Sequence, residues 1–157
     1  MKALVVYDSV FGNTEKTAKA VAGALPGEVR LLKANEAKQE NLEAVDLLVV
    51  GSPTRGFRAT DSVDGFIKGL SPGSLQGTAA AAFDTRIPEE EVGKGLRFLM
   101  KMGGYAAPRI SNALKKKGAS VKLPPEGFFV LDREGPLRDG EEERAAAWAK
   151  KLAEGIS

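Results

Sequence analysis

The stretch that decides the fold lies at the start of the chain, where residues 3–7 (ALVVY) lead into residues 8–14 (DSVFGNT). An apolar run of this length predicts a buried strand, and the pattern after it predicts a short turn and then a helix. The first turn of a helix leaves backbone N–H groups unpaired, and the helix dipole favours a negative charge in front of them. Ser9 and Thr14 add hydroxyl groups, and Gly12 permits close approach of the backbone. The turn therefore predicts a phosphate site.

Length and composition describe one ordinary globular domain. A chain of 157 residues can bury one substantial core, and 43% apolar with 28% charged residues is typical of such proteins. The net charge of +2 gives little attraction to nucleic acid. The apolar runs are only strand-sized, and residues 1–2 lead straight into the first strand without a visible leader. We therefore expect a single domain over 1–157, a cytoplasmic location, and neither nucleic acid nor membrane as a partner.

The absence of two residue types narrows the chemistry. The sequence contains no cysteine and no histidine. This excludes disulfides, thiolate catalysis, iron–sulfur ligation, Cys/His zinc sites and catalytic triads that use histidine as the base. Any redox or group-transfer chemistry must come from a bound cofactor or from carboxylates.

Apolar runs alternate with helical patterns along the whole chain. Asn13 is expected to cap the first helix, and Trp148 to face the core from the last one. The alanine run at 78–83 is interpreted as a strand because Gly77 precedes it and because it is only strand-sized. The predicted strands are 3–7, 29–32, 45–51, 78–83 and a last one split around 122–125 that resumes at 127–131; the predicted helices are 13–25, 36–44, 60–70, 105–117 and 139–154. Five strands separated by helices predict a three-layer, doubly wound α/β domain with a parallel sheet.

In such a sheet a ligand binds at the carboxyl ends of the strands. The loops after the first, third and fourth strands, at 8–14, 52–58 and 84–88, are expected to meet there. Together they supply one rigid turn, a flexible glycine, an aromatic ring and three arginines. This combination suits a flat, anionic and partly apolar ligand.

Other phosphate-binding classes fail at particular positions. The G-x-x-x-x-G-K-[ST] loop of nucleotide hydrolases is absent, and no G-x-G-x-x-G follows the first strand. A phosphorelay receiver would have an aspartate where this chain has Gly51. A phosphatase with an aspartyl nucleophile would have a second carboxylate where this chain has Val10.

Residues 7–16 (YDSVFGNTEK) resemble the phosphate loop of the flavodoxin superfamily, especially that of the flavodoxin-like domains of flavodiiron proteins, and residues 51–54 (GSPT) follow at the expected place. The resemblance covers the whole chain in element order and lacks the inserted segment of long-chain flavodoxins. It implies strand order 2-1-3-4-5 and FMN as the cofactor, with the phosphate on 9–14 and the ring held by 53–58 and 84–86. The implied FMN-binding residues are Ser9, Val10, Phe11, Gly12, Asn13, Thr14, Pro53, Thr54, Arg55, Gly56, Phe57, Arg58, Asp84, Thr85 and Arg86. No side chain is nominated as catalytic, and no metal site is implied.

The resemblance also suggests roles at the ring, each with a structural alternative. In flavodoxins the loop of Gly56 can turn a backbone carbonyl toward flavin N5, and glycine makes that rotation inexpensive; otherwise Gly56 is an ordinary turn residue. Phe57 either stacks on the ring or closes its loop against the core. An arginine near the N1/O2 edge would favour the anionic reduced flavin and raise its potential. Arg55, Arg58 and Arg86 are the candidates, and a solvated surface charge is the alternative for each.

Some features depart from the family pattern. Electron-carrier flavodoxins typically flank the ring with Trp and Tyr and carry an acidic docking surface. Here Trp148 falls on the predicted core face, Tyr105 begins a helix, and the sequence pI is about 8.8. Asp84 and Thr85 are expected to end a strand at the crevice, where they either contact the pyrimidine edge or form a structural turn. The absence of a Trp and a Tyr beside the ring, and of an acidic docking surface, counts against low-potential one-electron transfer.

Two segments point to another use of the flavin. Residues 53–57 (PTRGF) resemble the Pro-Thr-Arg-Phe-Gly loop of the FMN-dependent quinone reductases related to the tryptophan-repressor-associated protein. Residues 89–104 form either a small extra helix beside the crevice, which could cover the flavin or receive a partner, or the start of the fourth helix packed on the core.

The function expected from the sequence is FMN-dependent electron transfer to a redox partner protein, by a monomer. The first alternative is an NAD(P)H:quinone oxidoreductase, which would act on a small quinone-type acceptor and would need an oligomer to complete its pocket. The second is a non-catalytic flavin-binding module whose output is a protein contact.

Overall fold

A parallel sheet forms the centre of the computed structural model, which describes residues 1–88 and 104–156. Every strand pair is parallel, and the order β2-β1-β3-β4-β5 agrees with the expected topology. The last position is split as predicted, because both β5 and β6 pair with β4 while two prolines, which cannot donate a ladder hydrogen bond, lie between them. The strands are β1 (Lys2–Tyr7), β2 (Glu28–Lys33), β3 (Leu47–Pro53), β4 (Ala79–Arg86), β5 (Ser120–Val121) and β6 (Glu126–Phe129).

In the described ranges, four helices cover the two faces of this sheet. Helices α1 (Asn13–Ala24) and α4 (Glu141–Glu154) pack on one face, and α2 (Asp61–Lys68) and α3 (Ala106–Lys116) pack on the other. Successive residues of β1, β3 and β4 point to opposite faces and are buried on both sides, as expected for the central strands of a parallel sheet between helices. The three-layer, doubly wound architecture is therefore confirmed.

The core on the α1/α4 face contains a cluster of three aromatic rings. Phe83, Phe128 and Trp148 meet edge to face, with centroid separations of 5.9 to 6.0 Å. The predicted core position of Trp148 is thus confirmed. The alanine run forms β4, with residues 79–82 paired to 47–50, so that large side chains on β3 lie beside small ones.

One helix prediction was wrong. Residues 36–44 contain only a single 3-10 turn, Gln39–Leu42, and none of its residues is buried. Asn41 Oδ1 accepts a hydrogen bond from the Lys38 N–H at 2.8 Å, which gives this backbone a local alternative to the helix. Without an apolar face to bury, a short polar helix gains too little from packing to form.

The segment 89–104 lies outside the described residues, except for Gly104, so its interpretation remains a prediction. Within the described ranges, no helix is long and apolar enough to cross a membrane.

The contact between Gly51 and Phe83 provides a test of the core packing. The two residues are register partners on β3 and β4, and a Cβ atom on Gly51 would lie 2.0 Å from Phe83 Cζ. We expect Gly51→Ala to lower the free energy of unfolding by about 1–3 kcal/mol, because the core has no room for the methyl group. Denaturant unfolding measures the difference.

Gly23→Ala is the matched control. Gly23 lies within α1, and a Cβ atom there meets nothing within 4 Å. This change should raise the free energy of unfolding by up to about 1 kcal/mol, because alanine favours the helix. Equal effects of the two substitutions would contradict the packing account.

Candidate functional site

A cavity of about 260 Å³ opens at the carboxyl edge of the sheet. The loops after β1, β3 and β4 meet there, as predicted, and the loop after β6 joins them. The lining residues are Val10, Phe11, Asn13, Thr14, Pro53, Thr54, Arg55, Gly56, Thr85, Arg86, Ile87, Val130 and Arg133.

The first loop folds around the hydroxyl of Ser9. Ser9 Oγ accepts hydrogen bonds from the N–H groups of Gly12 (3.1 Å) and Glu15 (3.3 Å). Gly12 is the N-cap residue of α1 and has a φ of 93°, a conformation that glycine adopts without strain. A Cβ atom on Gly12 would have no neighbour within 4 Å, so the space in front of the turn is open. The turn thus leaves room for a group at the start of α1.

Asn13 does not cap the helix, so that prediction was wrong. Because Gly12 occupies the N-cap position, Asn13 is the first helical residue, and its Nδ2 donates to the carbonyl oxygen of Glu134 at 3.1 Å. This bond fastens the loop after β6 to α1. Among the described residues, the backbone N–H groups of Asn13 and Thr14 have no acceptor, as expected in a first helical turn. Two donors thus remain for a ligand beside the cavity.

A hydroxyl pair joins the first loop to the end of β4. Thr14 Oγ1 and Thr85 Oγ1 lie 2.8 Å apart, and both residues are buried. The first loop and the fourth strand are therefore joined directly at the cavity wall.

The second loop is a tight turn between Arg55 and Arg58. Their backbones exchange two hydrogen bonds, of 2.8 and 3.1 Å, and the two residues between them both have positive φ, 54° at Gly56 and 68° at Phe57. This is the backbone that a type I′ turn requires, and it is uncommon for phenylalanine. Arg55 Cζ lies 5.7 Å from the ring centroid of Phe11 on the first loop. The contact brings a cation and an aromatic ring together at the mouth of the cavity.

The third loop begins later than expected, because β4 continues through Arg86. Asp84 and Thr85 therefore belong to the strand and not to a turn. Asp84 is fully buried and pairs with Arg86 through two bonds, Nε to Oδ1 (2.6 Å) and Nη2 to Oδ2 (2.8 Å). Burial raises the pKa of the Asp84 carboxyl above its usual value, whereas the bonds from Arg86 and from the Ala107 N–H oppose the rise. The pair places an arginine on the cavity wall and its counter-charge behind the wall.

Most of the sequence-predicted residues line the cavity, and the exceptions support those that do. Ser9 and Gly12 shape the first loop, Asp84 holds Arg86, and Phe57 and Arg58 complete the second turn beside the cavity. Ile87 lies in the predicted loop 84–88 but was not among the implied FMN-binding residues, and sequence reasoning missed Val130 and Arg133 entirely. Val130 and Arg133 follow a parallel strand at the same sheet edge, so the topology alone would have indicated their loop.

The site can be tested against the flat, anionic ligand expected from the sequence. Asn13 and Thr14, whose backbone N–H groups have no acceptor among the described residues, line the cavity from the start of α1 beside a glycine turn, and Pro53, Ile87 and Val130 add apolar surface to the lining. Arg55, Arg86 and Arg133 add positive charge, and no carboxylate lines the cavity among the described residues. These features fit a phosphorylated flavin such as FMN.

Comparison with known proteins agrees with this fit. A family model, Flavodoxin domain, matches residues 4–90. The chain belongs to the flavodoxin family. A flavodoxin from Aquifex aeolicus (strain VF5) is 41% identical over 91 residues, which are 54% of this chain and 49% of that protein, so the match spans about half of its length.

Solved structures with the same fold cover nearly the whole chain. Oxidised flavodoxin 1 from Bacillus cereus has a TM-score of 0.78 at 20% identity and covers 100% of both chains. A flavodoxin from the domain Archaea has a TM-score of 0.76 at 21% identity over 99% of both chains. The rubredoxin oxygen:oxidoreductase of the anaerobe Desulfovibrio gigas has a TM-score of 0.75 at 19% identity, with 99% of this chain matching 36% of that one. At these identities the likeness shows the fold.

Family membership makes FMN the cofactor of this domain. Flavodoxins pass electrons to redox partner proteins. The expectations of family and cofactor are therefore confirmed, whereas the activity of this chain, the residues that hold FMN and the redox partner belong to the proposal below.

The Ser9 hydroxyl gives a stability test that does not need the flavin. Ser9→Ala removes the acceptor of two amides at the start of α1, and we expect the unfolding free energy of the apo-protein to fall by about 0.5–2 kcal/mol. Ser74→Ala is the control, because Ser74 Oγ is buried without a hydrogen-bond partner among the described residues and its loss should be nearly neutral. If both variants melt at the wild-type temperature, Ser9 does not support the loop.

Proposed function

We propose that FMN lies in the cavity with its phosphate at residues 9–14 and its ring between residues 53–58 and 84–86. The observation that carries this proposal is that the N–H groups of Asn13 and Thr14, at the phosphate end of the proposed FMN position, have no acceptor among the described residues, in a cavity that apolar residues and arginines also line. The dipole of the twelve-residue helix α1 favours the phosphate at that end. The apolar residues of the lining favour the ring.

We propose further that the protein works as a single-domain electron carrier between redox proteins. The flavin supplies the electron chemistry, and the protein binds it, orients it and excludes water. The ionisable groups that line the described part of the cavity are arginines, which stay protonated and cannot relay a proton. The lining therefore suits binding and electrostatic tuning better than acid–base catalysis.

Two measurements on one preparation test the carrier proposal against the reductase. Titration of apo-protein with FMN should show stoichiometric quenching of flavin fluorescence, and photoreduction should then proceed in two separate one-electron steps. Addition of NADPH with a benzoquinone should give no turnover beyond that of free FMN. Fast turnover would favour a quinone reductase, and a failure to bind FMN would remove the basis of both proposals.

The position of the phosphate can be tested with a matched pair of variants. Gly12 and Gly140 are both N-cap residues with positive φ, 93° and 87°, and a Cβ atom on either meets nothing within 4 Å. Gly12→Asp should weaken FMN binding at least about tenfold, or ~1.4 kcal/mol, because it places a carboxylate beside the phosphate. Gly140→Asp carries the same strain and charge at the start of α4, and it should leave the affinity unchanged.

Isothermal titration with FMN and with riboflavin measures both effects. Riboflavin lacks the phosphate, so its affinity should change little in either variant. Equal weakening of FMN by the two substitutions, or equal weakening of both ligands by Gly12→Asp, would contradict the placement of the phosphate.

A further inference from the structure

We propose that Asp84 is a positioning and charge-balancing residue for Arg86, so that the flavin ring meets a rigid but nearly neutral ion pair. The inference rests on the proposed position of FMN, because it requires the ring to lie beside the wall that contains Arg86. It concerns the electron affinity of the bound flavin, which the family assignment does not specify.

The first argument is the isolation of the Asp84 carboxylate from water. Its side chain is fully buried, and it accepts three hydrogen bonds, two from Arg86 and one from the Ala107 N–H at 2.8 Å. Arg86 lines the cavity, whereas Asp84 does not. A ligand in the cavity can therefore contact the Arg86 guanidinium directly, whereas it interacts with the Asp84 carboxylate only at a longer distance.

The second argument is that the guanidinium of Arg86 has little freedom to move. Its Cζ lies 3.7 Å from the ring centroid of Tyr105, so one face is stacked. A Cβ atom on Gly127 of β6 would lie 2.2 Å from both Cζ and Nε, so the backbone of that strand closely approaches the group as well. Two of its nitrogens bond Asp84. The remaining N–H groups are the part of the side chain left to meet a ligand.

The third argument is that hydrogen bonds from the start of α3 connect the ion pair to α3 and, through it, to the second loop. Ala106 and Ala107 begin α3, and their N–H groups donate to Thr54 Oγ1 (3.0 Å) and to Asp84 Oδ2. Thr54 lines the cavity from the end of β3. The pair is thus connected to the helix and to the second loop. These connections oppose movement of the Arg86 guanidinium when the charge of its ligand changes.

The consequence follows from the charge change on reduction. Two electrons and one proton convert oxidised FMN into its anionic reduced form, so the ring gains one negative charge. A lone arginine beside the ring would favour that form, and a lone carboxylate would disfavour it. When both are present, their effects largely cancel, and the ion pair supplies hydrogen-bond donors without a large bias toward either form.

A double-mutant cycle tests this balance. The measured quantity is the ratio of the dissociation constants of oxidised and dithionite-reduced FMN, the latter determined anaerobically. Asp84→Asn leaves the cation and should raise the ratio about tenfold, and Arg86→Gln leaves the anion and should lower it by a similar factor. The double variant Asp84→Asn/Arg86→Gln contains neither charge and should return to within about threefold of wild type.

A purely structural role would give a different result. Both single variants would then bind oxidised and reduced FMN more weakly, and the ratio of the two dissociation constants would move in the same direction in both variants or not at all. That result, or a double variant that fails to return toward wild type, would overturn the inference. If Asp84→Asn does not fold, the comparison of Arg86→Gln with the double variant still decides, because adding the second substitution must restore the ratio.

The Glu141–Arg144 pair provides the control. Its geometry is similar, with bonds of 2.9 and 2.6 Å and with Arg144 Cζ 4.5 Å from the ring centroid of Phe128, but it belongs to α4 on the other face of the sheet and does not line the cavity. Glu141→Gln should lower the melting temperature of the apo-protein and leave the ratio unchanged.

The outcomes also separate this inference from the proposed function. If wild-type protein binds no FMN, both fail. If it binds FMN with the ratio insensitive to all these variants, the inference fails while the function stands.

Discussion

The site depends on the parallel pairing of β1, β3 and β4, which forces the carboxyl ends of these strands to the same edge of the sheet. The chain leaves each of these strands through a loop at that edge. The strand pairing alone therefore brings the loops together. The start of α1 is brought there by the same pairing, since the helix follows β1 after a short turn. A group of unpaired amides, a tight turn and an ion pair from three different strands thus lie around one cavity.

The electrostatics of this edge differ from those of the rest of the protein. The chain as a whole is nearly balanced in charge, with a formal net charge of +2, but the described cavity lining contains three arginines and no carboxylate. The buried carboxylate of Asp84 lies outside the lining and is bound to one of those arginines. In the proposed arrangement, the protein accepts an anionic ligand while Asp84 limits the positive charge that reaches the flavin ring.

The sequence was sufficient for features that depend on periodicity and turn chemistry. The continuous apolar run of β3, the alanine strand and the split last strand all follow from local patterns, and so does the glycine turn before α1. The helix at 36–44 failed because helical propensity without a buried face does not stabilise a short helix. The side chain of Asn13 was misassigned because its partner, Glu134, is 121 residues away in the chain. Long-range partners of this kind have no local signature.

The part of the site that is proposed to hold the flavin ring was harder to predict from the sequence, for the same reason. Asp84 and Arg86 are two residues apart on a strand, so their common face could have been inferred. Their contacts with Tyr105, Ala107 and Gly127 depend on how α3 and β6 pack against β4, and no local pattern contains that information. Tyr105, which was placed from the sequence only at the start of a helix, stacks on Arg86 of the cavity wall.

The most direct test of the account is a crystal structure of the protein with FMN bound. The account predicts the phosphate within hydrogen-bonding distance of the N–H groups of Asn13 and Thr14, and the ring between residues 53–58 and 84–86. A phosphate at the opposite end of the cavity, or FMN bound near the start of α4, would contradict it.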